Sequence, residues 1–229
     1  MSVVKIETLD HVALWVSDRD VLADFLTRHT GMHVIARTGA FTLVGADARR
    51  GKLTLFAAEG EREPDALARV VLCVRDLDAA LAELPAGLPV ERRGQAAFFA
   101  GPEGLGLGLA ESAEGAGYDI DHVVLRVPDP EATFRELAGL GFAVRGGHLE
   151  AGDAYVELER GDPGEPERPL LNHLGLRVES ADTHLAEAES RGLEIADVVD
   201  GENTYAVFVW GPDRIKLEYV EHKPTFSLV

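Results

Sequence analysis

Four stretches of the chain share one alternation of apolar and polar positions: "HVALWVSD" from residue 11, "RVVLCVRD" from 69, "HVVLRVPD" from 122 and "HLGLRVES" from 173. Each is an apolar run suited to a strand, closed by a polar turn whose Asp or Ser can cap a helix. A helical spacing of leucines and alanines follows in "VLADFLTRHTG", "DAALAELPAG", "EATFRELAGLG" and "THLAEAESRG", each ended by a glycine, the residue best suited to the left-handed backbone of a helix stop. Short strands around turns complete each segment, for example "AVRGGHLEAG" then "AYVELER", and "EIADVVDGENTYAVFVWG" then "IKLEYVE". The pattern therefore predicts a unit of strand, helix and about three strands, written four times.

One unit of about 50 residues leaves an apolar sheet face uncovered and is too small to be stable alone. Units must pair. Pairing neighbours along the chain predicts an α+β protein of two tandem domains, each a pair of βαβββ modules in a curved mixed sheet with helices outside. These domains would span residues 1–113 and 118–222, with 223–229 as a tail. The Pro-, Gly- and charge-rich stretches at 59–65 and 159–169 are expected to be solvated linkers.

Composition narrows the function classes. Of 229 residues, 46% are hydrophobic and 27% charged, an ordinary soluble balance. Forty acidic against 22 basic side chains give a net charge of -18. Such a surface repels nucleic acid and anionic lipid, so neither is expected as a partner. No apolar run approaches the roughly 18 residues of a membrane span and no signal-peptide layout opens the chain, so a cytoplasmic location is expected. The single cysteine, Cys73, lies in the apolar run "VVLCV" and is expected to pack as a small hydrophobe.

The fourfold unit, with a histidine opening the first strand and a glutamate in the last, resembles the vicinal oxygen chelate superfamily over roughly residues 6 to 222. That group includes glyoxalases, methylmalonyl-CoA epimerases, bleomycin-resistance proteins and extradiol dioxygenases. The resemblance implies that ligands come from the first and last strands of two paired units. In the C-terminal pair these positions hold His122, Glu157, His173 and Glu218; in the N-terminal pair they hold His11, Thr54, Arg69 and Gly108. A cation at Arg69 would repel a metal, so the N-terminal site is expected to be empty and His11 structural. His122, His173 and Glu218 are then the expected ligands of a divalent metal, with iron(II) first and manganese, zinc, nickel or cobalt as alternatives. Glu157 could be a fourth ligand, a general base or an outward-facing side chain.

Three reactions remain open at this level. A dioxygenase-like enzyme acting on a small oxygenated substrate, aromatic rings included, fits the ligand set, although Phe208 stands where that branch carries a tyrosine. A glyoxalase- or epimerase-type isomerase or lyase would use Glu157 for proton transfer. A metal-free resistance protein would only bind its compound. Phe208 and Trp210 share one strand face and are expected to form an apolar wall for the substrate; Arg126 and Arg177, four residues past His122 and His173, are candidates for holding a carboxylate. A small-molecule substrate is the expected partner, and a homo-oligomer is left open.

Overall fold

The computed structural model describes residues 5–63, 65–113 and 117–228. The first unit comprises β1 (Ile6–Val16), α1 (Arg19–His29), β2 (His33–Arg37), β3 (Phe41–Asp47) and β4 (Arg50–Ala57). The second comprises β5 (Leu67–Val74), α2 (Leu77–Ala82), β6 (Glu91–Arg93), β7 (Ala96–Ala100) and β8 (Gly106–Glu111). The third comprises β9 (Ile120–Val127), α3 (Pro130–Gly139), β10 (Ala143–Arg145), β11 (His148–Ala151) and β12 (Ala154–Arg160). The fourth comprises β13 (Leu171–Val178), α4 (Ala181–Arg191), β14 (Ile195–Asp200), β15 (Thr204–Trp210) and β16 (Lys216–His222).

The polar turns after the four first strands act as the sequence pattern predicts. Side chains of Asp18, Asp76, Asp129 and Ser180 accept backbone N–H groups at the starts of the four helices, which satisfies donors that have no partner within the helix. Gly192 closes α4 with a left-handed backbone at φ 66°, a conformation that costs other residues a Cβ clash.

The α+β class and the four βαβββ modules stand, but the modules do not pair as neighbours along the chain. One eight-stranded sheet has the order β14-β15-β16-β13-β1-β4-β3-β2, joining units 1 and 4; the other has the order β10-β11-β12-β9-β5-β8-β7-β6, joining units 2 and 3. In each sheet the two first strands meet antiparallel at the centre, β1 against β13 and β5 against β9, and each runs parallel to the last strand of its own unit. The expected domains 1–113 and 118–222 therefore do not coincide with the two sheets.

The connections make this arrangement. The chain leaves the first sheet through residues 58–66 and returns through 161–170, and these two passages lie side by side. Glu63 N–H donates to the Arg168 carbonyl at 2.9 Å, Glu63 and Pro169 form a β-bridge, and the buried Asp65 carboxylate accepts from the backbone N–H groups of both Leu67 and Leu171. What reads locally as solvated linker is thus tied down by long-range backbone bonds. A single continuous set of buried apolar side chains, including Leu14, Leu53, Leu72, Leu125 and Leu176, underlies both sheets. Among the described residues no helix is long and apolar enough to cross a membrane.

This pairing leaves residues 1–113 and 118–229 each with half of both sheets. Expressed separately, neither piece should give a cooperative thermal unfolding transition by circular dichroism. A cooperative transition in each isolated piece would contradict the cross-paired sheets.

Candidate metal centre

In the first sheet, His11 lies opposite Gly175, and His173 opposite Ala13. Glu218 pairs with Gly175 along β16, and Thr54 with Ala13 along β4. Strand alternation turns these four positions to one face. His11 Nε2, His173 Nε2 and Glu218 Oε2 stand 2.9 Å from one another in every pairing, and all three residues are buried. Gly175 makes room for the first imidazole, since a Cβ there would meet His11 Cε1 at 2.3 Å.

Residues just before the histidines set the rings. Asp10 Oδ1 stands 2.8 Å from His11 Nδ1, and Asn172 Oδ1 stands 3.0 Å from His173 Nδ1. With each Nδ1–H donated to an oxygen, both Nε2 lone pairs turn toward Glu218. Glu218 Oε2 is fully enclosed and takes no well-formed hydrogen bond. Three electron-rich atoms at this spacing repel unless a cation lies among them. A triangle of 2.9 Å edge is also the face of an octahedron whose centre lies about 2.0 Å from each corner, an ordinary metal–nitrogen length. The residues fit a divalent metal held on one face, with the opposite face open.

Charge in the metal-free triad follows the same geometry. Burial opposes a charge on His11, but the Glu218 and Asp10 carboxylates outweigh it and raise its pKa to about 9. Burial would raise the Glu218 pKa, yet the two histidines, His11 above all, bring it down to about 2. His173 is lowered by burial and by the charge on His11. One proton therefore resides on His11 when no metal is bound. Behind it lies a buried ion group: Lys52 Nζ donates to Asp10 Oδ1 at 2.7 Å, and His222 Nε2 stands 2.9 Å from Asp10 Oδ2. Asp10 is held well below the usual carboxylate range; burial opposes this, and Lys52 and the two histidines overcome it.

Aromatic rings bound the other side of the triad. Trp15 lies 5.5 Å from Phe56, Phe56 6.4 Å from His173, and His173 5.1 Å from Phe208, by ring centroids. Trp210 stands farther along at the mouth of a cleft of about 1000 Å³ lined also by Trp15, Leu171, Asn172 and Lys216. Phe208 and Trp210, expected as a substrate wall, are thus placed beside the triad and at the cleft mouth respectively.

The second sheet carries the other half of the candidate residues, and here the expectations need correction. His122 is opposite Val71, and Glu157 lies beside Val124. The groups expected to empty the site of His11, Arg69 and Gly108, belong to the sheet of His122 instead. Arg69 binds Glu159 at 2.6 Å, and Arg126 binds the same carboxylate at 2.9 Å. That ion group fills the face where a metal would need lone pairs. His122 Nδ1 stands 2.6 Å from Asp121, and its Nε2 is 3.7 Å from Glu157. His122 therefore does not join His173 and Glu218, and His11 takes that place. Glu157 is an exposed side chain on the opposite sheet from the triad, and Arg177 is engaged by Glu7 and the Arg49 carbonyl. Neither arginine reaches the triad. Cys73 is buried nearby, its thiol pushed up to about 12 by burial and the Asp121 carboxylate.

Sequence reasoning identifies the eight equivalent positions but joins them in the wrong pairs. It passes over Asp10, Asn172, Lys52 and His222. A local signal exists for the first two, since the histidines of "LDHV", "IDHV" and "LNHL" each follow a side-chain acceptor. Lys52 and His222 have none, because they come together only through the sheet.

The chain belongs to the Glyoxalase/Bleomycin resistance protein/Dioxygenase superfamily, whose family model matches residues 8–148. A search of curated proteins finds no match. Among solved structures, a Bacillus subtilis protein named "putative dioxygenase" superposes with a TM-score of 0.78 at 18% identity, over 97% of this chain and 87% of that one. Glyoxalase I from Zea mays superposes with a TM-score of 0.70 at 16% identity, over 94% of this chain and 92% of that one. The cppA protein of Streptococcus pneumoniae TIGR4 gives 0.66 at 16% identity, over 95% and 99%. At these identities the likeness is one of fold.

His11→Ala should abolish binding of a divalent metal measured by calorimetry, while His122→Ala should leave it intact; the reverse would return the site to the second sheet. Asp10→Asn should weaken binding by about 10- to 100-fold through loss of ring orientation. A metal must also displace the proton from His11. Apparent affinity should therefore rise about tenfold per pH unit up to about 9 and then level off. In the metal-free protein the raised His11 pKa stabilises the fold fully below its ordinary 6.5, and that contribution is lost as pH climbs through about 9. Melting temperature against pH, with and without metal, checks both signs.

Proposed function

We propose that this protein is a metal-dependent enzyme of dioxygenase-like chemistry, holding a divalent first-row metal on His11, His173 and Glu218 and acting on a small oxygenated compound chelated there. The observation that carries the reading is the donor set, two imidazoles and one carboxylate on a single face, a set suited to iron(II) with open positions. When bound, iron(II) would supply both Lewis acidity and the electron path between a chelated substrate and dioxygen.

The chain's own groups support this in several ways. Asp10 and Asn172 orient the imidazoles, and Lys52 balances the Asp10 charge that His11 alone would leave exposed to a metal-bound state. Thr54 occupies the fourth equivalent position with a neutral hydroxyl, which leaves the opposite face to substrate. Phe56 and Phe208 flank His173 and keep bulk water from it. Proton transfer by a glutamate is less well supported, because Glu157 lies on the other sheet and no carboxylate replaces it at Thr54. A purely sequestering protein would have no use for three converging lone pairs.

Metal analysis of protein purified without oxygen, followed by oxygen uptake against a panel of catechols and 2-oxo acids, tests the reading. Bound iron with substrate-dependent oxygen consumption, lost in His173→Ala, is the expected result. Zinc, nickel or cobalt with no oxygen uptake, together with solvent deuterium entering a carbon acid, would replace it with isomerase chemistry.

A further inference from the structure

We propose that the C-terminal turn, acting through Phe226 and His222, positions Asp10 and thereby fixes the direction in which the His11 ring faces the metal. This positioning role rests on the metal-dependent reading above.

Asp10 is the side chain that sets the His11 ring, and its carboxylate is held at both oxygens. Oδ1 stands 2.8 Å from His11 Nδ1 and accepts from Lys52 Nζ at 2.7 Å. Oδ2 stands 2.9 Å from His222 Nε2. Asp10 Oδ2 and His222 Nε2 are both enclosed, and among the described residues neither has another hydrogen-bond partner. Contacts at Oδ1 alone leave a planar carboxylate free to swing about that oxygen. A contact at Oδ2 fixes the plane, and with it the angle at which Oδ1 meets the imidazole. Deprived of His222, Oδ2 would be a buried acceptor without a donor, and the carboxylate would turn to find one.

His222 is the last residue of β16, four beyond Glu218 and so on the same strand face. Its ring is held from outside the sheet. Just past β16 the chain turns back, with Phe226 N–H donating to the Lys223 carbonyl at 2.9 Å, and Pro224 takes the second position of this turn, where its fixed φ is favoured. The turn lays the Phe226 ring on the His222 ring, with centroids 3.9 Å apart and planes 4° from parallel. The turn is itself moored to the loop between β14 and β15. Lys223 N–H donates to the Asn203 carbonyl at 2.9 Å, Thr225 Oγ1 donates to the Glu202 carbonyl at 2.8 Å, and Lys223 Nζ reaches Asp200 and the Gly201 carbonyl. A chain end moored in this way is unlike the frayed terminus of most domains. The ring it carries is the one packed on the only outer contact of Asp10 Oδ2, so contact is unbroken from Phe226 through His222 and Asp10 to His11.

The full chain, freed of metal with a chelator, is titrated with cobalt(II) by calorimetry. Phe226→Ala and His222→Phe should each weaken binding about tenfold, the lower end of the range for a group that orients a metal-binding histidine. Phe226→Tyr, which keeps the stacked ring, and His222→Gln, which keeps a nitrogen donor for Oδ2, should bind within about twofold of the parent. In an Asp10→Asn background Phe226→Ala should cost nothing further, because effects that pass through one residue do not add. Parent-like affinity in Phe226→Ala and His222→Phe, even with a lowered melting temperature, would mean that the tail only adds packing and would overturn the proposal, as would a loss that persists in the Asp10→Asn background. The metal-free protein gives a second readout, the low-field proton resonance of His11 Nδ1–H, which should shift or broaden in Phe226→Ala and His222→Phe and return in His222→Gln. If the parent binds no cobalt(II), the proposed function falls, and this resonance decides the role of the tail: a change in both variants upholds it, and an unchanged signal overturns it.

Discussion

Three atoms with lone pairs, His11 Nε2, His173 Nε2 and Glu218 Oε2, are held 2.9 Å apart in a buried place. Without metal, the proton on His11 holds them together as an ion pair with Glu218. The surrounding chain fixes the cluster from two directions. Covalent neighbours Asp10 and Asn172 pin the far nitrogens of the rings, and Gly175 gives up its side chain so that His11 can lie against the backbone. The central seam between β1 and β13, and with it the junction of units 1 and 4, is organised around this cluster and the positive charge shared within it.

The second sheet solves the same geometric problem differently. Its equivalent positions carry Arg69, His122, Glu157 and Gly108, and the cation is part of the chain itself. Arg69 and Arg126 share the carboxylate of Glu159, so this face already carries positive charge of its own. Two sheets of one topology thus hold one face with His11, His173 and Glu218 converging and one where Arg69 and Arg126 meet Glu159. The frame is the same in both, and a few side chains set the charge and chemistry of each face.

The sequence exposes the local half of this design. The strand, helix and strands of each unit, and the caps at Asp18, Asp76, Asp129 and Ser180, follow from periodicity and side-chain hydrogen bonding within a few residues. The equivalence of His11, Arg69, His122 and His173 is equally visible, because the four first strands align. Their partnership is not, since all four strands present nearly the same apolar alternation and any two could pair. The deciding contacts are distant in sequence: Asp65 with the Leu171 N–H, Glu63 with Arg168, and His11 against Gly175. Neighbour pairing is a reasonable expectation from chain proximity, and it fails here because the two crossing passages bind each other.

That crossing gives the protein an order of events. His11 and His173 are 162 residues apart, and the strand that must join β1 is made after both units of the second sheet. Until β13 is made, the edge of β1 that it covers has no partner strand in the sheet, and an open strand edge invites association with other chains. Contacts of such long range also slow folding, because a large loop must close before they contribute. Units 2 and 3 are adjacent in the chain and can close their sheet first, bringing residues 66 and 170 into register. A closed second sheet places the two connecting passages together where β13 can reach β1, a structural task that asks for no metal.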